Sequence, residues 1–323
     1  MIKEIATPKL KEPFFIAVWP GMGEVAYRIG LFLREVLGFK MFAKLEAGDF
    51  FKPAAVVVEN GVLEFPSMPA GLFYYAKAKG MPDIILFLGE AQPPLEHAQA
   101  LSETIINFVK KYNAKFIFTF AAKPEPIDHK AEPAVWIAAT HKDVLGDFKD
   151  FELRAVSDGQ ISGLNGIILG LAKHKKLPGA CLLGEIPFYT VQIENPKAST
   201  NVLKVLDKHL NLKLNFSPLI EKAKFFEEEI DKLISYLKGD APQQGPIPLS
   251  DEDIARIKKD LSAYTKLPQS AREKIEKFFE ASRSDITFAS KLKEELDRWN
   301  VYKEYEDRFL DLFKKKGNLD ESN

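Results

Sequence analysis

Residues 21–26 read Gly-Met-Gly-Glu-Val-Ala and lie between a short apolar run and an amphipathic one. Glycines at that spacing, with alanine in the third small position, match a dinucleotide-binding turn in which backbone N–H groups hold a phosphate. Glu46 stands 25 residues beyond Gly21, where an acid could meet a ribose hydroxyl. Two features argue for an ordinary strand-to-helix turn instead. Pro20 separates the apolar run from the first glycine, and Glu24 falls in the first turn of the expected helix. A carboxylate there competes with phosphate, and it is also what a plain helix start favours. No cofactor is therefore expected.

A second turn, Ile161-Ser-Gly-Leu-Asn-Gly166, also leads into a helical pattern. Its spacing, Gly159-Gln-Ile-Ser162-Gly163, does not fit the Gly-x-Ser-x-Gly nucleophile elbow. Glu90 and Gln92 follow the strongly apolar segment Ile84–Leu88. Polar residues just past the carboxyl end of a central strand are where α/β folds place ligands. His129 follows Glu125 and Asp128 in a Pro-rich stretch and could serve in acid–base chemistry given partners. The candidate cleft thus comprises Gly21, Met22, Gly23, Glu24, Glu90, Gln92, His129, Ser162, Gly163 and Asn165, with no catalytic residue assigned.

His97, His129, His141, His174 and His209 share no i, i+4 spacing, and there is one cysteine, so no metal site is expected. Cys181 sits among Ala180, Leu182 and Leu183, as a buried and inert thiol would. A lone cysteine forms no internal disulfide and suits a reducing compartment. The N-terminus lacks a basic segment followed by a long apolar run, and no uncharged apolar stretch approaches the ~20 residues that span a bilayer. A soluble, cytoplasmic protein is expected. The net charge of −1, from 45 basic and 46 acidic residues, gives no field favouring nucleic acid or an anionic membrane.

These turns need a scaffold, and the hydrophobic pattern supplies one. Apolar strands are expected at Phe14–Trp19, Lys40–Leu45, 54–58, Asp83–Leu88, Lys115–Phe120, Val135–Thr140 and Ala180–Leu183. Helices are expected at Val25–Leu37, Gly71–Gly80, Leu95–Tyr112, Asn165–His174, from Pro196, and from Ser217 to Lys238. Continuously apolar strands alternating with helices imply a sheet buried on both faces, that is, one three-layer α/β/α domain over residues 1–238. Residues 239–249 are dense in Pro and Gly and read as a linker.

Residues 250–323 read as a helical region. Ser250 with Asp253, and Ser270 with Glu273, resemble capping boxes. One long helix is expected over Asp285–Lys316, closed by Lys314-Lys-Lys316 and Gly317. Its aromatic residues Trp299, Tyr302, Tyr305, Phe309 and Phe313 are candidates for a protein interface.

The order of these motifs resembles the PAC2 family, named for a proteasome assembly chaperone and sometimes labelled ATP-grasp-like. Pro20-Gly-Met-Gly23 comes first, then Asp83–Gly89 with Gln92-Pro93, then Thr119-Phe-Ala-Ala122 with His129. Ala139-Thr140, Ile161–Gly166, Leu182–Tyr189 and Pro196-Lys-Ala198 follow, so the resemblance covers roughly residues 10–235. It implies a sheet like that of nucleoside phosphorylases, homo- or hetero-oligomers, protein partners and an assembling or escorting role, without established catalytic residues. It also implies that activating members end in a hydrophobic-Tyr-any-residue tail that docks between ring subunits. This chain ends Asp320-Glu-Ser-Asn323, which speaks against that mode of docking. The competing expectation is a binder or phosphorylase-like enzyme for a nucleoside, nucleotide or phosphate, using the loops that follow the strands.

Overall fold

The computed structural model describes residues 2–238 except 47, 49 and 54, together with 269–299 and 301–314. The described chain forms two compact units. One is the α/β unit built from most of residues 2–238. The other contains the helices from 269 onward with the short segments 124–128 and 187–189. The linker expected at 239–249, the Ser250–Asp253 cap and the basic helix end beyond Lys314 lie outside the described residues.

In the α/β unit the elements run β1 (Ile2–Glu4), β2 (Phe14–Val18), α1 (Val25–Val36), β3 (Lys40–Glu46), β4 (Val57–Glu59) and β5 (Val62–Glu64). There follow β6 (Ala70–Ala76), β7 (Ile84–Gly89), α2 (Leu95–Lys110), β8 (Phe116–Glu125), β9 (Val135–Ala139) and α3 (Lys142–Gly146). The unit closes with β10 (Leu153–Ala155), α4 (Leu164–His174), β11 (Gly179–Pro187), α5 (Pro196–Leu210) and α6 (Ser217–Lys238). Among the described residues nine strands make one sheet in the order β1-β3-β6-β7-β2-β8-β11-β9-β10, and β4 and β5 form a separate two-stranded sheet. The central strand β2 is parallel to both β7 and β8. The β1, β3 and β6 side of the sheet is antiparallel.

Side chains alternate across a strand, so a strand buried on both faces must be apolar throughout. In β2, Ile16 and Val18 join Ile29 and Leu33 of α1 and Val202 and Leu206 of α5 in one core. Phe15 and Ala17 join Leu101 and Ile105 of α2 and Ile168 of α4 in the other. The fold is thus a three-layer α/β/α sandwich with added C-terminal helices. Gly30 sets the close approach of α1: a Cβ there would lie 2.4 Å from a Val18 methyl. Asn195 caps α5, its Oδ1 accepting the Ala198 N–H at 3.1 Å, and Pro196 takes the first turn.

Three expected elements differ. The strand expected at 54–58 begins at Val57 as β4, exposed and in the separate β4–β5 ribbon, because both its faces lack a covering layer. Residues 71–80 do not form a helix, because Ala70–Ala76 is strand β6, paired with β3 on one side and β7 on the other. Phe73 and Tyr74 there are both buried, one on each face of the sheet. The single long C-terminal helix is instead two. In the second unit, α7 (Gln269–Ser284), α8 (Phe288–Arg298) and α9 (Tyr302–Lys314) share a core of Ile275, Phe279, Leu292, Leu296 and Phe309. The break between α8 and α9 falls where Trp299 and Val301 are both buried. The Val301 N–H is satisfied by the Leu296 carbonyl at 3.0 Å. Ser270 lies within α7.

Candidate functional site

Strands β7 and β8 flank β2 and both run parallel to it, so the carboxyl ends of all three face the same way and the loops beyond them converge. A cleft of about 250 Å³ opens there. It is lined by Gly21, Met22 and Ala26 after β2, Gln92 after β7, Ala121 and Ala122 on β8, and Ser162, Gly163 and Asn165 at the start of α4. Six of the ten residues singled out from the sequence therefore meet: Gly21, Met22, Gln92, Ser162, Gly163 and Asn165.

Gln92 ties the loops together. Its Nε2 donates to the Pro20 carbonyl at 2.8 Å, and its Oε1 accepts the Leu164 N–H at 3.1 Å. That acceptor satisfies an otherwise orphaned amide at the N-terminus of α4. Gly163 is held at φ +73°, and a Cβ on it would stand 2.6 Å from Gln92 Oε1. Only glycine fits there without cost. Asn165 is buried at 6% exposure, and its Oδ1 has no hydrogen-bond partner. The lining carries no titratable side chain and no cation. It therefore holds neither an acid–base pair nor a charge to neutralise a phosphate.

Gly23 and Glu24 lie beside the cleft and do not line it. Met22–Glu24 forms a 3₁₀ turn, with Glu24 in the left-handed region at φ 50°, so the acid precedes α1 and is not inside its first turn. Burial raises the Glu24 carboxyl above its ordinary range and Glu194 adds to this, while Arg28 opposes it. Glu90 is drawn away to the sheet: its Oε2 accepts the Ala70 N–H at 2.8 Å, and its own N–H reaches the Ala70 carbonyl. His129 is buried elsewhere, with Nε2 at 2.9 Å from Asp231 Oδ1. Lys130 and His129 together hold the Asp231 carboxyl below its usual range.

Ala26 stood only as the third small position of the first turn, and Ala121 and Ala122 only within the Thr119–Ala122 motif; none was placed in the cleft, because small apolar residues carry no chemical signal of their own. The carbonyl of Pro20 escaped the sequence reasoning for a related reason, since any residue has one. Among the described residues, no group of three or more His, Cys, Asp or Glu side chains is placed to hold a metal ion. No helix among them is long and apolar enough to cross a membrane.

In the helical unit, Trp299 and Phe309 are buried in the helices' own core, and Tyr302 and Tyr305 are partly covered by it. Trp299 Nε1 donates to Glu295 Oε1 at 3.0 Å, and Lys274 Nζ lies 2.8 Å from Glu295 Oε2. Burial opposes ionisation of Glu295, and these two donors outweigh it, so its carboxyl titrates below the ordinary range. Phe313 is half exposed.

A three-layer α/β/α sheet whose central parallel strands open onto an uncharged, small-residue cleft, followed by a helical unit, defines the class of protein. The PAC2 family pattern matches residues 15–234, and the chain belongs to that family. It is 28% identical over 251 residues to the uncharacterised protein MJ1210 of Methanocaldococcus jannaschii, covering 77% of this chain and 93% of that one. Among solved structures it resembles Pyrococcus furiosus PbaB, an archaeal proteasome activator, at 27% identity and a TM-score of 0.62. That match covers 72% of this chain and 98% of PbaB. A PAC2 family protein from Streptomyces avermitilis shares the fold at 19% identity and a TM-score of 0.58, over 76% of this chain and 99% of that one.

Proposed function

We propose that this chain is a chaperone-like protein-interaction module that self-associates and binds other protein subunits during assembly. The observation carrying this reading is the likeness to PbaB along 98% of that protein, at 27% identity. The uncharged cleft lining agrees with it, because conventional acid–base or phosphoryl chemistry has no side chains to work with there. Proteasome subunits are the first partners to test, since PbaB is an archaeal proteasome activator.

The test mixes the purified full chain with isolated proteasome subunits of the same source and follows mass by native mass spectrometry and light scattering. The expected result is a self-associated chain that also forms a defined complex with a subunit. A chain that stays monomeric and binds no subunit at tens of micromolar would overturn the proposal.

One observation favours a second reading, in which the cleft holds a small neutral group. The unpartnered Asn165 Oδ1 at the cleft calls for a donor. A thermal-shift screen of uncharged amides, alcohols and nucleosides would support it if a stabilising hit lost its effect in Asn165→Ala. Absence of any shift would dismiss it.

A further inference from the structure

The segment between β3 and β6 carries an unusual surface. Strands β4 and β5 form a two-stranded ribbon separate from the main sheet, with Val57 opposite Glu64, Val58 opposite Leu63 and Glu59 opposite Val62. Asn60 and Gly61 make its turn at φ 52° and 83°, the two positive values that a tight two-residue hairpin demands. Alternation along the strands, carried one residue past each, puts Val56, Val58, Leu63 and Phe65 on one face. Their exposures are 54, 62, 68 and 72%. The reverse face carries Val57 and Val62 with Glu59 and Glu64.

A two-stranded ribbon is marginal in water unless a face is covered, and an exposed flat apolar strand pair invites association. The apolar face here bears no charge, so it has nothing to pair with a charged partner and nothing to repel a copy of itself. The reverse faces, with two glutamates each, would repel one another. Two copies bury the most apolar surface with the fewest glutamates when they meet apolar face to apolar face, across a two-fold axis. The chain's net charge of −1 adds no long-range barrier to that encounter.

We infer that the Val56, Val58, Leu63 and Phe65 face of the β4–β5 hairpin is a homotypic contact that joins two copies of this chain. The inference rests on the self-association proposed above and names the surface responsible. The area sets the strength. Four side chains at those exposures offer on the order of 400 Å² per copy, so about 800 Å² over the pair. That lies below the ~1,200 Å² of a stable interface, so the contact exchanges with concentration.

The test is sedimentation of the full chain over a wide concentration range, for the wild type and for Leu63→Glu. Leu63 is mostly exposed, so the charge enters without disturbing a core. The expected result is a dissociation constant at least tenfold weaker in the variant. Self-association of equal strength in both would overturn the hairpin assignment and leave the self-association reading intact. A wild type that is monomeric throughout would overturn both.

A second measurement guards against indirect effects. Cys181 is fully buried, so a cysteine placed at Val58 or Glu59 is the one accessible thiol. A short bis-maleimide should join Val58→Cys chains into covalent dimers and leave Glu59→Cys chains single. Equal linking at the two positions would overturn the face-to-face geometry.

Discussion

Gln92 holds the cleft together, and replacing it tests the geometry directly. Gln92→Ala removes the bond to the Pro20 carbonyl and the bond from the Leu164 N–H. Neutral hydrogen bonds contribute about 0.5–1.5 kcal/mol each. Gln92 is exposed, so water entering the space its side chain leaves would offset part of this, for a loss of about 1–2 kcal/mol. Gln92→Glu is the sharper perturbation because size is preserved. One carboxylate oxygen can still accept the Leu164 N–H, but the other then faces the Pro20 carbonyl with no proton between them. At pH 7 this variant should be no more stable than Gln92→Ala, even though it keeps one more bond. Protonation supplies the missing donor, so its folded-state pKa lies above the unfolded value. The penalty is therefore present above the folded pKa and is relieved as pH falls through the carboxylate range.

Gly163→Ala closes the cycle. A Cβ there meets Gln92 Oε1 at 2.6 Å, and the residue sits at φ +73°. In the wild-type background the loss combines about 1–3 kcal/mol of backbone strain, since φ 73° with ψ −174° is a region essentially confined to glycine, with about 1 kcal/mol for displacing Gln92. In a Gln92→Ala background only the strain remains, giving a coupling energy of about 1 kcal/mol. Urea unfolding with a common slope is the assay. A Gln92→Glu protein within about 0.5 kcal/mol of wild type at pH 7 would refute the clamp.

Three further outcomes are expected. His209 stacks on Phe148 with ring centroids 4.5 Å apart, and burial lowers its pKa while Asp147 opposes the shift. The unfolded chain then binds more protons, so stability falls as pH drops through the ordinary imidazole range near about 6.5, by at most about 1.4 kcal/mol per pH unit; a His209→Gln protein with an unchanged pH slope in denaturation would count against this. Cys181 is fully buried and its thiol is pushed up to about 12, mainly by burial, so it should resist a maleimide in native buffer and react once urea unfolds the chain. Phe279 is fully buried among the C-terminal helices, and Phe279→Ala should cost that unit about 3–5 kcal/mol, read as lost hydrogen-exchange protection over residues 269–314.

Much of the α/β unit was legible locally. Phe14–Val18, Ile84–Gly89 and Gly179–Pro187 are apolar at nearly every position, which only a strand covered on both faces requires. The helix phases of α1 and α2 follow from apolar residues at three- and four-residue intervals. The glycine turns at 21–23 and 161–166 announced strand-to-helix junctions, and the order of the motifs pointed to the PAC2 family. Ala70–Ala76 could not be resolved locally. Its small and aromatic residues suit either element, and pairing with β3 and β7 decided it. The end of α8 was settled in the same way, by a tertiary core that buries Trp299 and Val301.

The site divides along the same line. Local sequence determined that Gly21, Gln92 and Gly163 stand in loops next to strand ends, because turn chemistry is written in neighbouring residues. Only the tertiary structure decided that Gln92 bridges a carbonyl and an amide each 72 residues away. It also decided that Glu90 turns aside to Ala70, and that His129 pairs with Asp231, 102 residues distant. A hydrogen bond depends on where two groups end up in space, and at such separations the sheet order sets that position.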